Sequence, residues 1–374
     1  MVKVSVARCS DYDLSKVTAA IQRSLEDIGF TIPKGKIILL KPNVLSQSPK
    51  EAAVTTHPVI LDALCTVFQG NQIWIGDSGR ITAYGGTKKA FEISGIEAVA
   101  KKHQARLISF EGSTKVEIID EKNIVLKKFT AAKEPFMADL MINVPKLKTH
   151  MLTRYTGAVK NMFGCIPGAG KSKKHAMAPT EESFSNLLLD IYTHITPHLT
   201  VMDGIVGLEG NGPGSDGNPK KAAIILASQD GIALDMVASR IIGYDPTSIL
   251  TNKLAIERKL ISPDSIEIIG EKYVNVDFKK PQRASSFVKK LPKGLMQLIF
   301  NLATLNPQVY KKRCRKCGVC VDVCPKKAVL LKPYPRFDRK KCILCYCCHE
   351  NCPYNAISLK KNILLRAYQK IKGT

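Results

Sequence analysis

The sequence predicts an α/β fold, a mostly parallel sheet covered by helices, followed by a small cysteine-rich α+β domain at the carboxyl end. Three observations carry this expectation. Over the first 278 residues, short apolar runs alternate with helical stretches, the rhythm of strand–helix–strand units whose strands run parallel. Nine of the twelve cysteines fall between Cys314 and Cys352. The charge is equally uneven: residues 279–374 hold 23 Lys and Arg against Asp322, Asp338 and Glu350, and so carry +20 of the formal +24.

The elements follow in order. Residues 3–7 read as a strand and 14–28 as a helix with apolar positions at helical spacing. A strand over 36–40 precedes Thr56, expected to cap a helix opening His57-Pro58, with proline near its favoured first position. Next come a strand at 72–76, a helix at 87–101 and a strand at 106–110. Apolar strands at 140–144, 199–202 and 222–227 and a helix over 232–242 complete the body. In such sheets, ligands bind beyond the carboxyl ends of the strands.

The domain boundaries expected are an α/β domain at 1–278, a basic linker with a short apolar helix at 279–310, a cysteine module at 311–360 and a basic tail at 361–374. The apolar stretch 295–305 is too short to span a bilayer. Its flanking lysines permit peripheral membrane contact through 289–305, but packing of a linker helix is the favoured reading. No apolar run approaches the ~18 residues of a membrane span, and mean hydropathy is −0.04. The opening residues lack the layout of a secretory signal, so a cytoplasmic location is expected.

Two cysteine runs can be superposed: Cys314-x-x-Cys317-x-x-Cys320-x-x-x-Cys324-Pro325 and Cys342-x-x-Cys345-x-x-Cys348-x-x-x-Cys352-Pro353. Both have the spacing of [4Fe–4S] ligation. Three thiolates on a tight loop reach three irons of a cubane, while the fourth points away to the other cluster. The expected sets are therefore Cys314, Cys317, Cys320 and Cys352 for one [4Fe–4S] cluster, and Cys342, Cys345, Cys348 and Cys324 for a second. Zinc needs only two CxxC pairs and has no use for the third cysteine or the prolines. Disulfides suit a secreted chain and are disfavoured. Cys347 is left over and reads as a spare thiol. This segment resembles a bacterial-type two-cluster ferredoxin domain, which implies low-potential one-electron transfer. Its basic surroundings suit an acidic redox protein as partner.

In the body, residues 146–175 hold seven Lys or Arg and two histidines without a single acid. Lys146, Lys148 and His150 follow the 140–144 strand and share one face if extended. Cations placed there point to an anionic small molecule, with a solvated basic loop as the alternative. Lys41 and Asn43, Asp77 and Ser78, and Asp203 stand at other strand ends, where together with His57 they converge on one crevice. Asp203 opens what reads as a glycine-rich loop, Gly204 to Gly217. Two motifs fail. Gly170-Lys171-Ser172 lacks the first glycine of a P-loop, where Cys165 stands, and Gly212-x-Gly214-x-x-Gly217 leads into a strand rather than a helix.

The body also resembles the domain-of-unknown-function 362 family, often fused to ferredoxin modules. The resemblance rests on Lys41-Pro-Asn43, Thr56-His57-Pro, Gly76-Asp77-Ser78, Asn143-Val-Pro-Lys146-Leu-Lys148-Thr-His150, Gly157-Ala-Val-Lys160-Asn161-Met-Phe-Gly164, Asp203-Gly204, Gly210-Asn-Gly212-Pro and Asp230 with Ala233-Leu-Asp235. It implies an iron–sulfur protein of anaerobic metabolism and brings no reaction or substrate with it.

The function expected is a ferredoxin-fused reductase that passes electrons to an anionic substrate in the body. Lys41, Asn43, Lys146, Lys148, His150, Lys160 and Asn161 are the candidate substrate-binding residues. His57, Asp77, Asp203 and Asp235 are the candidate proton donors and acceptors. Cys165 is a weaker redox candidate, more in keeping with a buried structural thiol. The alternative is an electron-transfer or assembly protein whose body docks a partner. Nucleic acid is disfavoured, since aromatics are 6% and do not interleave the basic runs. The substrate, donor, oligomeric state and any flavin or extra metal are beyond the sequence.

Overall fold

Among the described residues, twelve strands shape the body: β1 (Val2–Arg8), β2 (Ile37–Pro42), β3 (Gln72–Asp77), β4 (Arg106–Ser109), β5 (Lys115–Ile119), β6 (Lys128–Ala132), β7 (Leu140–Val144), β8 (Lys146–His150), β9 (Arg154–Thr156), β10 (Leu199–Gly210), β11 (Gly217–Ser228) and β12 (Ile266–Gly270). The computed structural model describes residues 1–79, 86–168, 170–214, 216–271, 274–282, 306–354 and 356–360. The chain divides into two units, Met1–Lys280 and Pro281–Thr374. The expected helix at 295–305, the 289–305 contact segment and the tail at 361–374 lie outside the described residues.

The central sheet runs β12-β1-β11-β10-β7-β2-β3-β4, with β8 paired to β10 and β9 to β8. All neighbours are parallel except β1–β11, β10–β11 and β8–β9. Side chains alternate between two cores, as a pleated strand requires. Leu39, Trp74, Met141 and Met202 enter one core with the helices Glu181–His194, Gly231–Ile241 and Leu250–Glu257. Ile38, Leu40, Ile73, Ile75, Ile142 and Val201 enter the other, under the helices Leu14–Asp27 and Pro58–Val67. Both faces are thus covered, as a largely parallel sheet needs.

Four local expectations are corrected. The predicted helix at 87–101 is two helices, Gly86–Ile93 and Ile96–Lys102, parted at Gly95 with φ 81°. The cap of Pro58–Val67 is His57, whose Nδ1 accepts the Val59 amide; Thr56 Oγ1 instead donates to the Val144 carbonyl at 2.7 Å. The glycine-rich loop after Asp203 is largely a hairpin, because Gly204, Gly207 and Gly210 lie within β10 and Gly217 opens β11. Lastly, at Lys146–His150 the alternative of a solvated loop fails: β8 is buried at all five positions.

In the second unit, β13 (Asn306–Val309) pairs antiparallel with β16 (Ile357–Lys360), and β14 (Val329–Leu331) with β15 (Pro335–Phe337). Residues 306–309, expected in the linker, therefore belong to the module. The second cysteine motif repeats the first 28 residues on, from Cys314 to Cys342. The backbone repeats with it: φ is positive at Lys316 and Leu344 (55° and 53°) and at Gly318 and Tyr346 (82° and 58°). Each motif ends in a short helix, Val319–Asp322 or Cys347–Glu350. The small core is likewise paired, Cys320 and Val329 from one half against Cys348 and Ile357 from the other.

Candidate functional site

The carboxyl ends of β2, β3 and β7, with Asp203 midway along β10, bring the expected polar residues together below the surface. Lys41 Nζ donates to Asp77 Oδ1 at 2.8 Å, and Asp77 Oδ2 accepts the Val44 amide at 2.8 Å. Register places Lys41 beside Asn143. Asn161 then ties three segments: its amide donates to Asn143 Oδ1 at 2.7 Å, and its Oδ1 accepts from Asn43 Nδ2 at 3.0 Å. Gly164 passes so close that a Cβ there would strike Asp77 Oδ1 and Lys41 Nζ.

A second ion pair lies on the β8–β10 side. Lys146 Nζ donates to Asp203 Oδ2 and to Tyr12 Oη, each at 2.8 Å. Asp203 also accepts the His57 amide and the Tyr12 hydroxyl, both at 2.9 Å. The His57 ring stacks on Tyr12, centroids 3.6 Å apart. Next to this, Lys148 Nζ donates to Asn43 Oδ1 and the Val54 carbonyl. His150 is buried and holds the turn after β8, its Nδ1 accepting the amides of Leu152 and Thr153 at 3.0 and 3.3 Å.

The remaining candidates sit at the margin. Asp235 accepts from Tyr155 Oη at 2.8 Å and from the amides of Ala158 and Val159 at 2.6 and 3.0 Å. It thus anchors the start of the helix Ala158–Asn161, on which Lys160 is half-buried. Lys171 donates to the Ser78 carbonyl, to Ser78 Oγ at 2.9 Å and to the Gly79 carbonyl at 3.2 Å.

Burial dominates the electrostatics. It pulls the His57 pKa down to about 4, and because Nδ1 accepts a hydrogen bond, Nε2 carries the proton of the neutral ring. Burial lowers Lys146 against the opposing pull of Asp203, and lowers Lys171 to about 8. It raises Asp235 to about 7 and Cys165 to about 12, so the Cys165 thiol stays protonated at neutral pH. The sites expected to grip a substrate anion therefore hold internal partners. Lys41 and Lys146 are neutralised by Asp77 and Asp203, two of the expected proton carriers. Tyr12 and Tyr155 were not among the sequence candidates. Tyr12 follows the carboxyl end of β1 on the same edge, so the strand-end rule that found Asp77 reaches it too.

In the second unit, the thiols fall into two neighbourhoods. Burial first, then nearby Cys352, Cys317 and Cys314, push the Cys320 thiol up to about 11. Burial, then Cys345, Cys342 and Cys324, push Cys348 well above the ordinary thiol range. Each neighbourhood thus includes a cysteine from the other motif, Cys352 near Cys320 and Cys324 near Cys348. Cys314, Cys317, Cys320 and Cys352 line one cleft of about 320 Å³, a volume that includes space open to solvent. The fourth thiol of each motif accepts a backbone amide, Cys324 Sγ from Ala328 at 3.1 Å and Cys352 Sγ from Ala356 at 3.2 Å. Among the described residues, no three His, Cys, Asp or Glu are drawn into a closed metal-binding geometry. Four thiols lining one cleft, with the fourth accepting a backbone amide, are nevertheless in residue type and spacing the donor set of an iron–sulfur cubane, so the residues fit that group. Cys347 occupies the place of Val319 in the repeat and is buried. No disulfide links any cysteine.

A helix-covered α/β body joined to such a module defines an iron–sulfur protein. The chain belongs to the family described as domain of unknown function (DUF362), matched over residues 38–240, and carries a 4Fe-4S binding domain matched at 307–330 and 335–358. It is 31% identical over 319 residues to the thylakoid-associated protein sll1697 of Synechocystis, spanning 83% of this chain and 94% of that protein. Among solved structures it is similar to the lactate racemase apoprotein from Thermoanaerobacterium thermosaccharolyticum, with TM-score 0.40 and 14% identity over 62% of this chain and 54% of that one. Among the described residues, no helix is long and apolar enough to cross a membrane.

Proposed function

We propose that this chain is an electron-transfer protein carrying two [4Fe–4S] clusters, one held by Cys314, Cys317, Cys320 and Cys352 and the other by Cys342, Cys345, Cys348 and Cys324. The observation that supports the reading is the closeness of thiols from different motifs, Cys352 near Cys320 and Cys324 near Cys348. Bound there, such clusters accept and release single electrons at low potential. The chain's own contribution is to bury Cys320 and Cys348 and to aim the Ala328 and Ala356 amides at sulfur, hydrogen bonds that stabilise the more negative state against the cost of that burial. Anaerobic iron and sulfide analysis with EPR of the reduced protein tests this; protein without iron after cluster reconstitution overturns it.

A second reading adds chemistry in the body, a reductase acting on an anionic substrate. It is supported by a cationic group at the carboxyl edge, Lys171, which donates to Ser78 Oγ and the Gly79 carbonyl. Neutral His57, donating a hydrogen bond through Nε2, would orient such a substrate. The competing role for the body is to dock a partner. Reduced protein, mixed anaerobically with panels of carboxylates and phosphate esters, separates the two: reoxidation by one class supports the reductase, and none supports docking.

A further inference from the structure

We propose that the loop from Cys314 to Cys317 is the port through which this chain exchanges electrons with an acidic one-electron carrier protein, the two thiol sites being alike in backbone and unlike in role. The inference rests on the two-cluster reading above. The repeat makes the comparison internal. Backbone turns and amide–sulfur hydrogen bonds match between halves. The side chains between the first two cysteines do not. Arg315 and Lys316 are exposed, whereas their counterparts Ile343 and Leu344 are apolar and half-buried.

The residues ahead of each motif sharpen the difference. Lys311, Lys312 and Arg313 are exposed and have no acid among them. Their counterparts Arg339, Lys340 and Lys341 follow Asp338, which accepts the Lys340 amide at 2.9 Å and lies 4.0 Å from Lys341 Nζ. Arg339 is engaged with Asn306 Oδ1 at 2.7 Å and the Pro307 carbonyl at 3.3 Å. The first loop's cations are also partly ordered in advance. Lys311 and Lys316 lie over the Tyr334 ring at 5.6 and 5.0 Å, and Arg313 over Tyr310 at 5.5 Å. Ordering a flexible cation beforehand lowers the entropy lost on docking.

Cys317 completes the case, because it is the one exposed thiol of the eight while the others are half-buried or buried. An acidic carrier steered to residues 311–316 would meet the least covered sulfur of the module. One electron crosses per encounter, and no covalent bond forms or breaks.

The test uses the full chain, purified anaerobically, with an acidic flavodoxin as probe. Affinity is measured by calorimetry at several salt concentrations. Zero-length carbodiimide cross-links, which join lysine to carboxylate, are mapped by mass spectrometry. The proposal predicts that R315E/K316E weakens binding about tenfold or more and flattens its salt dependence, with iron content and EPR signals unchanged. K326E/K327E, on the exposed lysines after Cys324-Pro325, changes affinity less than about twofold. Wild-type cross-links fall on Lys311, Lys312 or Lys316. Unchanged affinity in R315E/K316E with both EPR signals intact overturns the port alone, as do cross-links confined to Lys326, Lys327, Lys340 or Lys341, or no binding to wild type at low salt. Iron-free wild type overturns the two-cluster reading and the port with it.

Discussion

Lys146 Nζ sits 2.8 Å from Asp203 Oδ2, with the lysine 1% and the aspartate 0% exposed. Two charges sealed from water are tolerated because each satisfies the other and Tyr12 and the His57 amide fill the remaining positions. Removing either partner strands the other. K146M and D203N are each expected to cost about 3–5 kcal/mol. The double variant K146M/D203L recovers part of that loss, since no net charge stays buried, but the His57 amide remains unpaired. Urea unfolding followed by the fluorescence of Trp74, the sole tryptophan and buried in β3, reports this in the full chain. Single costs under about 1 kcal/mol would mean the pair is hydrated.

His57 sets a pH dependence whose sign follows from its lowered pKa. The unfolded ring takes a proton near 6.5, and the folded ring resists it down to about 4. Between those values the unfolded state binds more protons, so stability rises with pH across this window and falls as pH drops through it. H57N retains an N-cap acceptor but cannot titrate. Its stability measured against wild type, by urea unfolding at a series of pH values, should gain steadily as pH falls from about 6.5 to about 4. A constant difference between the two proteins contradicts the neutral buried ring.

Gly164 tests the other pair. A methyl group there meets Lys41 Nζ and Asp77 Oδ1, neither of which can retreat without losing its partner. G164A is expected to destabilise the body by about 1–3 kcal/mol, again read from Trp74. A neutral substitution would show that the approach relaxes freely.

Cys347 provides a negative control for the cluster assignment. It stands where the first half has Val319, so C347V should keep full iron content and both EPR signals. Loss of iron from C347V would make Cys347 a ligand and dissolve the crossed sets.

Much of this was legible beforehand, for physical reasons that differ by region. Strand ends could be read because apolar runs stop abruptly at Lys41, Asp77 and Asp203, and a parallel sheet aligns such ends on one edge. The thiol sets could be read because ligation fixes spacing. What escaped depends on long-range pairing. For Lys146 to His150 the sequence leaves a solvated loop open as the alternative, yet β8 is buried beside β10, where Asp203 and acceptors from distant loops receive the lysines. The length of β10 was likewise hidden: Gly204 and Gly207 suggest a loop, but in the hairpin each gives room to close neighbours, Ile224 beside one and Phe278 beside the other. The break at Gly95 and the capping role of His57 turn on single backbone angles that composition does not report.

The most direct test of the account is iron and sulfide content per chain in anaerobically purified protein, compared among wild type, C324S and C352S. The account predicts about eight iron and eight sulfide in wild type and about four of each in either variant. The EPR signal that C352S retains should be the one C324S loses. Wild-type protein without iron, or variants that both lose the same signal, would contradict it.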